Sequence, residues 1–127
     1  MDYTSLYIEV IHAIQDKYEY CGDNHAAKEY QEHVIGDIEY IISGRSGCLR
    51  TIFNQAYPSN YPNWINNEHF NESYTALNLN KFLDGTNNYI SDFQKNYSNT
   101  ASYQGNIPSG HNFNWVEMFQ KLGIPTF

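Results

Sequence analysis

Residues 4–43, TSLYIEVIHAIQDKYEYCGDNHAAKEYQEHVIGDIEYIIS, decide the fold of this chain. Apolar residues recur in the first half of this stretch at spacings of four, three, four and three: Tyr7, Ile11, Ile14, Tyr18 and Cys21. Side chains at these spacings share one side of an amphipathic helix. The pattern therefore predicts a first helix from Thr4 to about Cys21.

A turn and a second helix follow directly. Gly22 tolerates a left-handed backbone, and the next two residues, Asp23 and Asn24, are both able to cap a helix. The apolar face of the second helix, predicted from His25 to Ser43, is given by these residues: Ala27, Tyr30, Val34, Ile38, Ile41 and Ile42. Two amphipathic helices joined by so short a turn form an antiparallel hairpin.

The rest of the chain is predicted to add further helices around this hairpin. Helical periods mark three segments, namely 47–57, 80–97 with Gly85 as an interruption, and 114–122 with Asn114 as cap and Gly123 as stop. Residues 58–69 and 98–110 are rich in Pro, Asn, Gly and Ser and predict loops, while 70–79 fits either a helix or a short strand. The predicted fold is a mostly α, single-domain bundle of about five helices over residues 1–127.

Charge is concentrated at one end of the chain. Residues 1–40 hold nine acids and two bases, so the whole net charge of −7 arises in the first third. This argues against nucleic-acid binding, which needs a basic surface, and is compatible either with attraction to a basic protein or with a solvated helical surface that keeps the protein soluble. No apolar run is long enough to span a membrane and no signal peptide is evident, so we expect a cytoplasmic protein.

The acids and nearby aromatic residues predict a binding surface. In a hairpin, the acids at the end of the first helix would merge with those of the second, and rigid aromatic side chains beside them would act as anchors. The predicted contact residues are Asp16, Glu19, Asp23, Glu29, Glu32, Asp37, Glu39, Tyr57, Tyr61 and Trp64. Such a surface is typical of a non-catalytic inhibitor that covers the basic cleft of a toxin domain, for example a nuclease.

A histidine and glutamate pattern supports a different hypothesis, in which the protein binds a metal ion. Glu9 and His12 form an E-x-x-H pair on the first helix, while His25, Glu29 and His33 recur every four residues on the second. Imidazole and carboxylate groups on facing helices bind Zn, Fe or Mn. The row on the second helix is offset from the apolar face, however, so we expect it to flank the core and face water. No metal ligand and no cofactor are therefore predicted for this chain.

Catalytic motifs are absent from the sequence. There is no nucleophile elbow, phosphate loop, C-x-x-C or H-E-x-x-H motif. Cys21 lies close to His25 in sequence and would pair with it as a thiol nucleophile, but its place on the apolar face favours a core residue. A further alternative is an oligomeric scaffold that associates through the aromatic residues of the 58–69 loop.

The turn and second helix also carry a resemblance. Residues 22–30, GDNHAAKEY, open a helix that ends at ISG, residues 42–44. This order resembles an uncharacterised family of small bacterial helical proteins in which a Gly-Asp-x-His/Trp-Ala turn links two helices and a glycine-rich segment follows. Small acidic chains of this kind also resemble immunity proteins of bacterial toxin systems. The resemblance covers residues 6–57, implies a bacterial origin and an immunity role, and assigns no site residues.

Overall fold

The computed structural model describes residues 3–44, 57–67, 69–100 and 106–127, and these are mostly helical. Six α-helices and one 3-10 helix occur in them, in the order α1 Tyr3–Tyr18, α2 His25–Ile42, α3 Tyr61–Asn67, α4 Leu79–Gly85, the 3-10 helix Thr86–Tyr89, α5 Ile90–Thr100 and α6 Trp115–Leu122. Because α4, the 3-10 helix and α5 follow one another directly, they count as one helical segment, and the described residues form five such segments. The mostly α fold of about five helices is therefore confirmed.

The predicted N-terminal hairpin is present, with a longer turn than predicted. α1 ends at Tyr18, because Glu19, Cys21 and Gly22 adopt positive φ angles of 57°, 65° and 54°. Cys21 thus lies in the turn, although it is still buried as its place in the apolar pattern predicted. Asn24 caps α2, since its side chain accepts a hydrogen bond from the Ala27 amide at 2.8 Å.

α2 is the central helix of the fold. α1, α3 and α5 all pack against it, and buried residues therefore occur all around its axis instead of along one stripe. They include polar residues, namely Gln31, Glu32 and Asp37, beside the predicted apolar face. A single amphipathic period describes a helix with one covered side, whereas neighbours cover α2 on several.

The segment after residue 57 differs from the predicted loop. Residues 61–67, YPNWINN, form helix α3, with Pro62 in its first turn, where the missing amide hydrogen costs little. The ambiguous 70–79 segment is neither helix nor regular strand: Leu77 pairs antiparallel with Phe70 and parallel with Thr126 in isolated bridges. The C-terminal residues are thereby attached to the centre of the chain.

The predicted 80–97 helix is interrupted at Gly85, as expected, but for a reason of packing. A Cβ atom at Gly85 would lie 2.6 Å from the indole nitrogen of Trp64 and 2.9 Å from two of its ring carbons. Glycine is required because the Trp64 ring lies directly against the backbone. The chain continues as a 3-10 helix before α5 begins at Ile90.

The last helix confirms its predicted stop and corrects its predicted cap. Gly123 ends α6 with a left-handed φ of 69°. Asn114 precedes the helix, but it has a left-handed φ of 55° and its side chain makes no capping hydrogen bond. The predicted helix over 47–57 falls almost wholly on residues 45–56, outside the described residues, as does the 101–105 part of the 98–110 loop.

The buried residues form one hydrophobic cluster that extends from α1 to α6. Its centre is aromatic, with Phe82 and Trp115 ring centroids 5.0 Å apart and Tyr30 and Phe93 centroids 5.3 Å apart. Tyr30 also donates its hydroxyl hydrogen to the carbonyl of Thr86. The core therefore joins α2 to the 3-10 helix, α5 and α6, and it sets the positions of the α2 side chains described next.

Candidate functional site

The predicted acidic and aromatic surface is divided by the fold. Asp16, Glu19, Asp23 and Tyr57 are exposed, and Glu29 and Glu39 are partly buried. The other four predicted contact residues are buried: Glu32, Asp37, Tyr61 and Trp64. Their prediction as surface contacts is wrong, because the helices and loops that follow α2 in the chain cover its second side and bring α3 into the core.

Asp37 and Tyr61 show how this happens. Both are 0% exposed, and the Tyr61 hydroxyl donates to Asp37 Oδ2 at 2.8 Å. Burial, together with the adjacent Asp37 carboxylate, raises the pKa of Tyr61 well above its usual value. This pair joins α3 to α2 inside the protein, so neither side chain is available to a partner.

Trp64 is buried beside Tyr61 on the same side of α3, with ring centroids 6.0 Å apart. Its ring centroid lies 4.4 Å from that of His69, 5.0 Å from that of Tyr89 and 5.8 Å from that of Phe82. Trp64 is therefore part of the aromatic core. With Tyr61 and Trp64 both buried, the self-association patch proposed for residues 58–69 loses its two largest aromatic side chains.

The acids that remain exposed near the end of α1 have lysines beside them. Lys28 Nζ lies 3.2 Å from Asp16 Oδ1. Lys121 and Lys17 lie over the Tyr18 ring, with Nζ to centroid distances of 4.4 and 5.4 Å, and they lower the pKa of Tyr18. The local charge is thus more balanced than the charge of residues 1–40 suggests.

The predicted metal-binding residues converge much more closely. His12 of α1 and His25 of α2 both approach the carboxylate of Glu29, with Nε2 to Oε1 distances of 3.6 and 3.8 Å. His33 Nε2 lies 3.6 Å from Glu32 Oε2. One ligand atom from each of Glu29, Glu32 and His33 lies within 4.8 Å of the other two. We call these five residues the histidine–glutamate cluster: His12, His25, Glu29, Glu32 and His33.

Helix geometry explains the convergence. Residues 25, 29, 32 and 33 are separated by four, seven and eight positions from the first, and so lie along one side of α2. The antiparallel hairpin then brings His12 from α1 to the same place. Exposure falls along the cluster, from 44% for the His25 side chain to 2% for that of Glu32. The prediction that this row simply faces water is therefore wrong for its deeper members.

The cluster also differs in membership from the predicted ligand set. Glu9 is exposed on α1 and, among the described residues, belongs to neither the ion pairs nor the grouped ligand atoms. Glu32 takes its place, although the sequence pattern assigned Glu32 to the acidic surface. The signal for Glu32 was its position three residues after Glu29 on the same helix, which places both carboxylates on one side.

A buried amide network contacts the cluster at His12, and no sequence pattern predicts it. Gln15 and Gln31 are both 0% exposed. Gln15 Nε2 donates to Gln31 Oε1 at 2.9 Å and to the Lys28 carbonyl at 3.1 Å, while Gln15 Oε1 lies 3.0 Å from His12 Nδ1. Polar residues on an apolar face carry no periodic signal, so this network depends on tertiary contacts alone.

Cys21 lies at the far end of the same network. It is 2% exposed, its Sγ lies 3.7 Å from Gln31 Oε1, and burial raises its pKa to about 12. A thiol with a raised pKa holds its proton at neutral pH, and only the thiolate is reactive. This environment favours the predicted core position of Cys21 over its alternative pairing with His25.

Comparison with known proteins identifies no relative: no protein family, curated protein or solved structure matches this chain. Within the described residues, none of the helices is both long and apolar enough to cross a membrane. Functional inference therefore depends on the geometry of the histidine–glutamate cluster and of the exposed acids.

Proposed function

We propose that this protein binds one divalent transition-metal ion, with Zn²⁺ as the first candidate, through the histidine–glutamate cluster. The observation that carries the proposal is the position of Glu29. Its carboxylate approaches His12 and His25 on one side and is grouped with Glu32 and His33 on the other. Three imidazoles and two carboxylates form a donor set that suits Zn, Fe and Mn.

The distances between donor atoms are close to those that an ion requires. A tetrahedral zinc ion with bonds of about 2.05 Å separates its donor atoms by about 3.3 Å. The His12–Glu29, His25–Glu29 and His33–Glu32 separations are 3.6, 3.8 and 3.6 Å. Side-chain movements of a few tenths of an ångström would bring each pair to coordination distance.

Electrostatics also favours a cation at this place. Glu29 and Glu32 have carboxylate oxygens within 4.8 Å of each other, and Glu32 is 1% exposed. Two negative charges repel more strongly when water is excluded from around them. A dication held between the two carboxylates would weaken their mutual repulsion, so metal binding and folding stability should be coupled.

The test uses protein purified without a histidine tag and stripped with a chelator. Calorimetric titration with ZnCl₂ and elemental analysis are expected to show one ion per chain. Glu29→Gln should weaken binding at least 100-fold, because it removes the carboxylate common to both halves of the cluster. Glu9→Gln is the matched control on the exposed side of α1 and should bind as the wild type does. Absence of stoichiometric metal, or full affinity in Glu29→Gln, would overturn the proposal.

The exposed acids support a second candidate function, the predicted inhibitor of a basic toxin domain. Asp16, Glu19 and Asp23 remain exposed around the end of α1, and Tyr57 is 49% exposed. These residues form the part of the predicted contact surface that a basic partner would meet, in keeping with the resemblance to immunity proteins. Attraction between opposite charges would accelerate association at low salt.

The corresponding experiment is co-expression with the product of the neighbouring gene. Reversal of Asp16, Glu19 and Asp23 to lysine should slow association with a basic partner and flatten its salt dependence, whereas reversal of exposed Glu72 should not. If the triple reversal leaves the association rate unchanged at low salt, this surface is not the binding site.

A further inference from the structure

A continuous series of hydrogen bonds runs from the backbone of Phe113 to the ring of His12. Gln31 Nε2 donates to the Phe113 carbonyl at 2.5 Å, and Gln31 Oε1 accepts from Gln15 Nε2 at 2.9 Å. Gln15 Oε1 then lies 3.0 Å from His12 Nδ1. We call this series the glutamine relay, consisting of Gln31 and Gln15.

The donor and acceptor roles along the relay are set by backbone carbonyls, which can only accept. The Phe113 carbonyl requires the NH₂ group of Gln31 to face it, which turns Gln31 Oε1 toward Gln15. The Lys28 carbonyl, 3.1 Å from Gln15 Nε2, independently requires the NH₂ group of Gln15 on that side. The two carbonyls therefore orient both amides without reference to His12.

Only one tautomer of neutral His12 fits this arrangement. Gln15 presents an oxygen to Nδ1, and an amide oxygen accepts hydrogen bonds but does not donate them. Nδ1 must carry the hydrogen, and Nε2 then holds the free lone pair. That lone pair faces Glu29 Oε1 at 3.6 Å, another acceptor. In the neutral form these two acceptors face each other, and either a proton on Nε2 or a metal ion would join them.

We infer that Gln15, held by Gln31, is a positioning residue that keeps His12 as its Nδ1–H tautomer and makes Nε2 the atom that binds the metal. The ligand role of Nε2 rests on the proposed metal-binding function, whereas the tautomer does not. A ligating histidine commonly donates its other ring N–H to an oxygen that orients it. Here that oxygen belongs to a buried side chain on the same helix, three residues away.

The environment of the relay is suited to this role. Gln15 and Gln31 are 0% exposed, so water does not compete for their hydrogen bonds. Each hydrogen bond is stronger where water is excluded, and neighbouring bonds polarise one another. The protonated thiol of Cys21, 3.7 Å from Gln31 Oε1, offers a second and weaker donor to the same oxygen. The relay therefore holds the His12 ring through Nδ1 and leaves Nε2 available to coordinate a metal ion.

The first experiment reads the tautomer in metal-free protein. Long-range ¹H–¹⁵N correlation spectra of ¹⁵N-labelled protein at about pH 8 distinguish the protonated ring nitrogen from the one that carries the lone pair. The His12 signals are assigned by their loss in His12→Gln. The expected result is a protonated Nδ1 in the wild type, and addition of ZnCl₂ should then shift Nε2. A protonated Nε2 in the metal-free wild type would overturn the inference.

Variants of Gln15 separate positioning from a merely structural effect. Gln15→Met keeps the side-chain length and removes the acceptor, so it should give a mixture of His12 tautomers and a 10- to 100-fold loss of Zn²⁺ affinity. Gln15→Glu retains an acceptor for Nδ1 and should retain the wild-type tautomer, with lower stability because the donor to Gln31 Oε1 and to the Lys28 carbonyl is lost. Thr86→Val is the structural control: it removes a buried hydroxyl 3.2 Å from the Tyr30 hydroxyl, remote from the cluster. It should lower stability without changing the tautomer or the affinity.

The two proposals fail in different ways. Stoichiometric zinc binding with a protonated Nε2 in the metal-free protein would overturn the relay and leave the metal site. A protonated Nδ1 without zinc binding would overturn the metal site and leave only the orientation of His12. If Gln15→Met does not fold, the wild-type spectrum and Gln15→Glu still decide the inference.

Discussion

Replacing His69 by phenylalanine should remove a large part of the acid sensitivity of this protein. His69 is 1% exposed and lies among aromatic rings, with centroids 4.4 Å from Trp64 and 5.0 Å from Phe70. Neither of its ring nitrogens has a hydrogen-bond partner. Burial, with a smaller contribution from Lys81, lowers its pKa from 6.5 to about 4. Phenylalanine has a similar size and no polar atom to bury.

The magnitude follows from proton linkage. The unfolded chain binds a proton at His69 near pH 6.5, whereas the folded protein binds it only near pH 4. The unfolded state therefore holds more protons within this window, and stability must fall as the pH decreases through it. Between pH 7.5 and 4.5 the two pKa values give a loss of about 2.5 kcal/mol from this one side chain. Above about pH 7.5 this side chain no longer makes stability depend on pH, because it is then neutral in both states.

Urea denaturation followed by far-ultraviolet circular dichroism, at both pH values, measures the effect. The wild type should lose about 2.5 kcal/mol more than His69→Phe on acidification, since other titrating groups are common to both proteins. The variant should also be more stable than the wild type at pH 7.5, because two unpaired buried nitrogens are removed. A difference below about 1 kcal/mol would refute the buried, neutral state of His69.

Three further substitutions test the packing that positions the site. Gly85→Ala should destabilise the protein by about 1–3 kcal/mol, because the alanine Cβ would lie 2.6 Å from the buried Trp64 side chain. Urea denaturation measures this loss, and unchanged stability would contradict the close approach of Trp64 to the Gly85 backbone. Asn24→Ala should cost at least about 1 kcal/mol, because it removes both the cap to the Ala27 amide and the hydrogen bond from Asn24 Nδ2 to the Asn106 carbonyl; unchanged stability would argue against both contacts. Tyr61→Phe should cost about 1.5–3 kcal/mol through the lost hydrogen bond to Asp37, and a thermal midpoint equal to that of the wild type would argue against this buried pair.

The spacing of residues in the sequence predicted the histidine–glutamate cluster only in part. Residues 25, 29 and 33 were recognisable as one row because helix geometry places every fourth residue on the same side. The same reasoning placed the row in water, since it assumed that α2 has one covered face. It also assigned Glu32 and Asp37 to a contact surface, and both are buried. Their burial depends on α3 and α5, which arrive from later in the chain.

Local interactions alone determined the helical hairpin, the Asn24 cap and the stop at Gly123. Each depends on residues within a few positions of one another, so each is visible as a spacing or as a residue type in the sequence. Tertiary structure alone decided that residues 61–67 form a buried helix, that Gly85 lies against Trp64 and that Gln15 contacts His12, Lys28 and Gln31 in one network. The physical reason is that side-chain burial and the pairing of polar groups depend on which distant segments cover each face of a helix. The spacing of apolar residues along the chain predicts the helix and its apolar face, but not the segments that pack against it.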